Sequence, residues 1–243
     1  MKLPQQLRSI AVPVKKALRP LALPVMRLFQ DKHRSELSYW KKVYEIDGGV
    51  FKNAHYERIM LAMAGEPDDT FLKGKVVADF GCGPRGSLVW AKSPSLRIGI
   101  DVLADRYADM FTENILSHGM IYLKSTEKVI PLPSNCIDVV FSLNAMDHVD
   151  FFPRMCREIL RILKPGGSFI GDFNIGGNPT ATEPQALNEK IVLENLLKYL
   201  DIKSYRLTRW GPIENLYGPF LEEDFSYEPG QAGLLWVRGL KVK

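Results

Sequence analysis

The chain has little that would cross-link or anchor it. Its 243 residues hold only three cysteines, Cys82, Cys136 and Cys156. They are too few for a disulfide framework and lack the paired spacing of a zinc site. This suits a reducing compartment, and no metal is expected. No run of about 18 apolar residues occurs; the nearest stretch, LRPLALPVMRLF, is broken by Arg19, Pro20, Pro24 and Arg27. A membrane-spanning helix is therefore not expected. The N-terminus also lacks the clean apolar core and small-residue cleavage site of a secretory signal, so the chain reads as soluble and cytoplasmic.

Residues 1–30 contain no acid, while they carry Lys2, Arg8, Lys15, Lys16, Arg19 and Arg27. The formal net charge of +4 thus belongs to this arm, and the rest of the chain sits at about −2. That argues against reading the globular part as a nucleic-acid binder. Within the arm Leu3, Leu7, Ile10, Val14, Leu18, Leu21, Val25 and Leu28 recur at steps of three or four, with the basic residues mostly on the other side of a helical wheel. Pro13, Pro20 and Pro24 predict short helical pieces rather than one rod. Two readings stay open: peripheral attachment to the anionic inner face of a membrane, or an arm packed on its own domain or on a partner subunit.

Two helical patterns follow within a cap over residues 31–72. Leu37, Trp40 and Tyr44 mark one; Tyr56, Ile59, Met60 and Met63 mark the other, with Gly48-Gly49 between them. Trp40, Tyr44 and Tyr56 are core aromatics or the roof of a ligand pocket. From residue 73 to 243 the pattern becomes alternating. The runs VVADF, LRIGI, IDVVFSL and GSFIGDF, with a weaker MIYLK, are separated by helical stretches near 103–117 and 151–163. Such alternation predicts an α/β fold, a mostly parallel sheet with helices on both faces. Thr182 and Gln185 fit a capping box before a helix ending near Leu200. IKSYRLTR and LLWVRGLKVK read as two late strands around an aromatic insertion, 210–232, bearing Trp210, Tyr217, Phe220, Phe225 and Tyr227 with Glu214, Glu222, Glu223 and Asp224. That composition suits a substrate lid or a sugar platform, and equally a subunit contact.

The stretch KVVADFGCGPRGSLVW places Gly81, Gly83 and Gly86 in a G-x-G-x-x-G pattern after a strand, and the pattern predicts a helix opening there. A dinucleotide or S-adenosylmethionine would satisfy such a turn. Asp79, two residues before Gly81, favours a cationic guest over a pyrophosphate. Asp101, at the end of LRIGI, is placed to accept hydrogen bonds from both hydroxyls of a ribose. Either aspartate alone is also explained as a loop residue holding backbone N–H groups.

At these residues the sequence resembles the class I S-adenosylmethionine-dependent methyltransferases. VADFGCG is similar to their first motif and GIDV to their ribose-binding acid. IPLPSNCIDVVFSLNAMDHV is similar to the segment through their fourth strand, and REILRILKPGGSFI to the helix, turn and fifth strand beyond it. The resemblance covers roughly residues 73–175, is closest to the small-molecule branch, and CGPRGSL is similar to members from bacterial cell-surface polysaccharide pathways. It implies a Rossmann-like seven-stranded sheet whose last two strands form an antiparallel pair. It also implies S-adenosyl-L-methionine as cofactor, with Asp79, Gly81 and Gly83 at its methionine part, Asp101 at the ribose, Ser125 and Thr126 near the adenine, and Asn144 beside it. The chain departs from the pattern at KSTEKVIPLP, where Ser125 stands in place of the usual adenine-binding Asp. It departs again at Pro84-Arg85, where Arg85 either reaches the cofactor carboxylate or faces solvent.

Transfer from a sulfonium chiefly needs alignment, and a hydroxyl acceptor adds the need for a base. His148, in NAMDHVD, is the histidine placed after the fourth strand, with Asp147 or Asp150 to raise its basicity; the other reading makes it a cap for the next helix. His33, His55 and His118 fall elsewhere. Asn174 and Asn178 follow the fifth strand as candidate acceptor contacts. The sequence therefore points to methyl transfer to a small-molecule or sugar-like (glycan) acceptor, at oxygen. An NAD(P)-dependent oxidoreductase and a non-catalytic scaffold with the same fold are the competing readings.

Overall fold

A computed structural model describes residues 32–212 and 215–242. The basic arm and Glu214 of the insertion lie outside the described residues. The cap contains helices α1 (Lys32–Ile46) and α2 (His55–Ala64) and a 3-10 turn, Asp69–Leu72. The break between the helices falls at Gly48 and Gly49, both with φ +83°. After the cap come β1 (Val76–Phe80), β2 (Leu96–Asp101), α3 (Ala104–Met110), α4 (Thr112–Ser117), β3 (Ile121–Lys124), β4 (Ile137–Ser142), α5 (Phe152–Ile162) and β5 (Leu163–Ile175). The chain ends with α6 (Glu189–Asn195), β6 (Leu200–Arg209), α7 (Gly218–Leu221) and β7 (Gly233–Lys241).

The seven strands form one sheet in the order β3-β2-β1-β4-β5-β7-β6. Pairings are parallel from β3 through β5, and β7 runs antiparallel to both β5 and β6. Chain order reverses between β1 and β4, so a crevice opens at their C-terminal ends, where open α/β sheets bind ligands.

Side chains alternate across this sheet with a period of two. Ala78 and Phe80 of β1, Val140 of β4, and Phe169 and Phe173 of β5 pack on the side of α5, whose Phe152, Met155, Cys156, Ile159 and Ile162 are all buried. Val77, Val139, Phe141 and Ile170 face the other way, onto Ile59, Met60 and Met63 of α2. By the same alternation Asp79 and Asp172 belong to the α2 side.

Two local expectations are corrected. No helix follows the glycine turn: residues 81–95 form successive turns, with the N–H of Val89 donating to Gly86 O and that of Ala91 to Leu88 O. Pro84 and Gly86 break the run that a helix would need. Nor do Thr182 and Gln185 start a helix. The true cap is Asn188, whose Oδ1 accepts the N–H of Ile191 at 2.9 Å. Gln185 instead donates its amide to Val149 O and Asp150 O at 2.7 and 3.0 Å, which draws the loop after β5 against the loop after β4. Among the described residues no helix is long and apolar enough to cross a membrane.

Candidate functional site

A cavity of about 980 Å³ lies over the C-terminal ends of β1, β2 and β4, walled on the outside by α1, α2 and residues 215–217. Its size is at the upper end of the roughly 300–1,000 Å³ found for small-molecule sites, so it has room for two reactants. Gly81, Gly83, Asp101, Ser125, Thr126, Asn144 and His148 all line it. Asp79 and Asp147 stand behind the wall.

At one end the turn after β1 meets the tip of β2. Asp101 accepts the N–H of Gly83 on Oδ2 at 3.0 Å and that of Leu103 on Oδ1 at 2.9 Å. A carboxylate has about four acceptor positions, so two remain toward the cavity. Gly83, at φ +54°, lies under the indole of Trp40, and a Cβ there would come 2.7 Å from the ring. Trp40 is itself held by Glu36, which accepts its Nε1–H at 2.8 Å. Arg85 lines the cavity but spends its charge on Asp47, at 2.9 Å. Gly86, third in the pattern, makes room for the buried imidazole of His118 rather than for a ligand.

Asp79 lies beneath this turn. It accepts a short hydrogen bond from the Ser87 hydroxyl, while its Oδ1 is buried without a partner. Burial, then the charges of Asp101 and Asp172, raise its pKa to about 7, against the pull of Ser87. Burial likewise lifts Asp101 to about 6, partly offset by its two backbone N–H bonds. Asp172 is raised to about 7 by burial, while its bond from the Asn144 N–H pulls down. These three carboxyls make the sheet end electron-rich and favour a cationic guest.

At the other end the loops after β4 and β5 converge. Asn174 donates from Nδ2 to Asn144 Oδ1 at 2.8 Å and to Asp147 Oδ2 at 2.6 Å. His148 Nε2 lies 4.0 Å from Glu183 Oε1, so Glu183, rather than Asp150, stands beside the imidazole on the cavity wall. Asp150 instead pairs with Lys32, as does Glu127, which fastens the start of α1 across the cavity. The sequence contained no sign of Glu36 or Glu183 at the site, since each arrives from a distant segment. Among the aromatic candidates Trp40, Tyr56 and Tyr217 line the cavity. Tyr44 packs with Phe51 and Phe111 instead, and Phe220 stacks on Trp236 with centroids 4.0 Å apart. Asn178 is not on the wall.

A family described as a methyltransferase domain matches residues 78–171, from β1 into β5. Those residues belong to that family. The domain is therefore of the class I, S-adenosylmethionine-dependent kind, and its residues fit that cofactor: a carboxylate with acceptor positions left toward the cavity, Gly81 and Gly83 on the wall and an acidic surround for a sulfonium. The dinucleotide reading has no such fit, because the helix N-terminus that would hold a pyrophosphate is missing.

An uncharacterized methyltransferase of Mycobacteroides abscessus is 29% identical over 111 residues, 44% of this chain and 43% of that protein. A malonyl-[acyl-carrier protein] O-methyltransferase of Enterobacter lignolyticus is 32% identical over 92 residues, 37% and 36% of the two chains. The chain thus spans under half the length of these relatives. A geranyl diphosphate methyltransferase solved in complex with S-adenosylmethionine shares the methyltransferase domain's fold, with a TM-score of 0.57 at 15% identity over 78% of this chain and 85% of that one.

Proposed function

We propose that the protein transfers a methyl group from S-adenosylmethionine to a small-molecule or sugar-like acceptor, at oxygen. The observation that carries this reading is the single cavity joining the Gly83–Asp101 end to the His148–Glu183 end. Bound there, the cofactor supplies an electrophilic methyl group. Asp101 holds the ribose, Gly81 and Gly83 border the methionine portion with Asp79 beneath them, Ser125 and Thr126 flank the adenine, and Asn144 lies alongside. His148, oriented with Asp147 and Glu183, forms the edge at which an acceptor hydroxyl gives up its proton. Alignment of oxygen and methyl at about 3–3.5 Å does most of the remaining work. An acid–base edge at the acceptor end suits an O–H acceptor, which must lose a proton as it attacks, and one relative is named an O-methyltransferase.

Incubating the protein with methyl-labelled cofactor and a fractionated lysate that includes lipid-linked glycans tests this. Label entering a hydroxyl-bearing small molecule or glycan, in a base-stable linkage, supports it. Label entering only nucleic acid or protein, or none at all with cofactor bound, contradicts it.

A further inference from the structure

We propose that Asp147, His148 and Glu183 form a site for one divalent first-row cation of the manganese class, at the acceptor end of the cavity. One ligand atom from each of the three lies within 4.8 Å of the others. The set is one imidazole nitrogen and two carboxylate oxygens, a mixed donor set suited to such ions, and its two negative charges match the charge of the ion.

The geometry has the form of a site with its centre missing. His148 Nε2 and Glu183 Oε1, 4.0 Å apart, are too distant to hydrogen-bond. Ligands held at about 2.1 Å from one octahedral ion sit roughly 3 Å apart, so side-chain rotation closes the difference. Asp147 is 2% exposed, and only one of its oxygens is satisfied: Oδ2 accepts from Asn174, while Oδ1 is buried with no partner. A buried carboxylate oxygen left bare is costly, and an ion supplies what it lacks. Asn174, bonded also to Asn144, plays the outer partner that orients a ligating carboxylate. His148 and Glu183 face the cavity, so the remaining coordination positions open toward the acceptor.

This rests on the methyl-transfer reading and deepens it. An acceptor presenting two neighbouring oxygens, as a sugar diol does, can chelate the ion. Coordination lowers the pKa of one hydroxyl; its proton passes to solvent, and the resulting oxyanion forms the O–CH3 bond as the S–CH3 bond breaks, its electron pair staying on sulfur. In this arrangement His148 is a ligand, and the ion replaces it in activating the acceptor hydroxyl.

The test uses the full chain dialysed against EDTA and titrated with Mn2+, followed by loss of the free-ion electron paramagnetic resonance signal, with S-adenosylhomocysteine binding measured by calorimetry alongside. One Mn2+ per chain is expected, weakened at least about tenfold by Glu183→Gln and by Asp147→Asn, with S-adenosylhomocysteine affinity unchanged. Should Asp147→Asn fail to fold, Glu183→Gln alone decides. Wild-type protein that binds S-adenosylhomocysteine but no Mn2+, or Mn2+ binding indifferent to Glu183→Gln, overturns the cation site and leaves the methyltransferase reading. Failure to bind S-adenosylhomocysteine overturns both.

Discussion

The backbone N–H of Gly83 donates to Asp101 Oδ2 at 3.0 Å, which makes the turn after β1 and the tip of β2 one rigid unit. Asp101→Ala removes that brace together with the acceptor positions left for a ribose. The expected loss of S-adenosylhomocysteine affinity is about 2–3 kcal/mol, roughly 30- to 150-fold, read by calorimetry with the circular dichroism spectrum unchanged.

Gly83→Ala forces a Cβ to within 2.7 Å of the Trp40 ring at a positive φ that L residues rarely adopt. The indole must leave its seat, so cofactor affinity falls at least about tenfold. Trp40→Ala, which opens the roof without straining the turn, costs only a few-fold. Near-ultraviolet circular dichroism separates the two, with Gly83→Ala altering the tryptophan signal.

Asp79 has a folded pKa near 7, above its unfolded value, so it favours folding when protonated. The stability it lends is complete below about pH 4 and is lost as the pH climbs through 7. Asp79→Asn keeps an acceptor for Ser87 and abolishes the buried charge. Its melting temperature is expected to exceed that of the wild type at pH 8, by about 1–3 kcal/mol of stability, and the gap to close by pH 4.5.

The same carboxyls set the pH dependence of binding with the opposite sign. A sulfonium guest favours their ionised forms, so S-adenosylmethionine affinity should rise between pH 5 and 8 as Asp101, near 6, and Asp79, near 7, lose their protons. S-adenosylhomocysteine, without the sulfonium charge, should show a shallower rise. Parallel titrations at four pH values check this.

His148→Ala is expected to reduce turnover by about 10²–10⁴ while leaving S-adenosylhomocysteine affinity within threefold, because His148 stands at the acceptor end and Asp101 at the other. Equal losses in both would place it with the cofactor.

The strands were legible because their apolar runs are short and bounded by Gly, Pro or Asp, and the reversed last strand was implied by the family resemblance, with which the two late apolar runs agreed. The wall residues at strand ends were legible for the same reason. Asp79 was placed on the cavity, yet strand alternation sets it on the face of Val77, under Ser87. The helix expected after the glycine turn was a pattern read without its punctuation, Pro84 and Gly86. Glu36 and Glu183 carry no local signal at all: one comes from α1, and the other is drawn in by Gln185 holding the carbonyls of Val149 and Asp150.

A calorimetric titration of the full chain with S-adenosylhomocysteine and, separately, NADH asks the central question most directly. The account predicts one S-adenosylhomocysteine per chain at micromolar affinity, weakened about 30- to 150-fold in Asp101→Ala, and no heat from NADH. Saturable NADH binding with none for S-adenosylhomocysteine would contradict it.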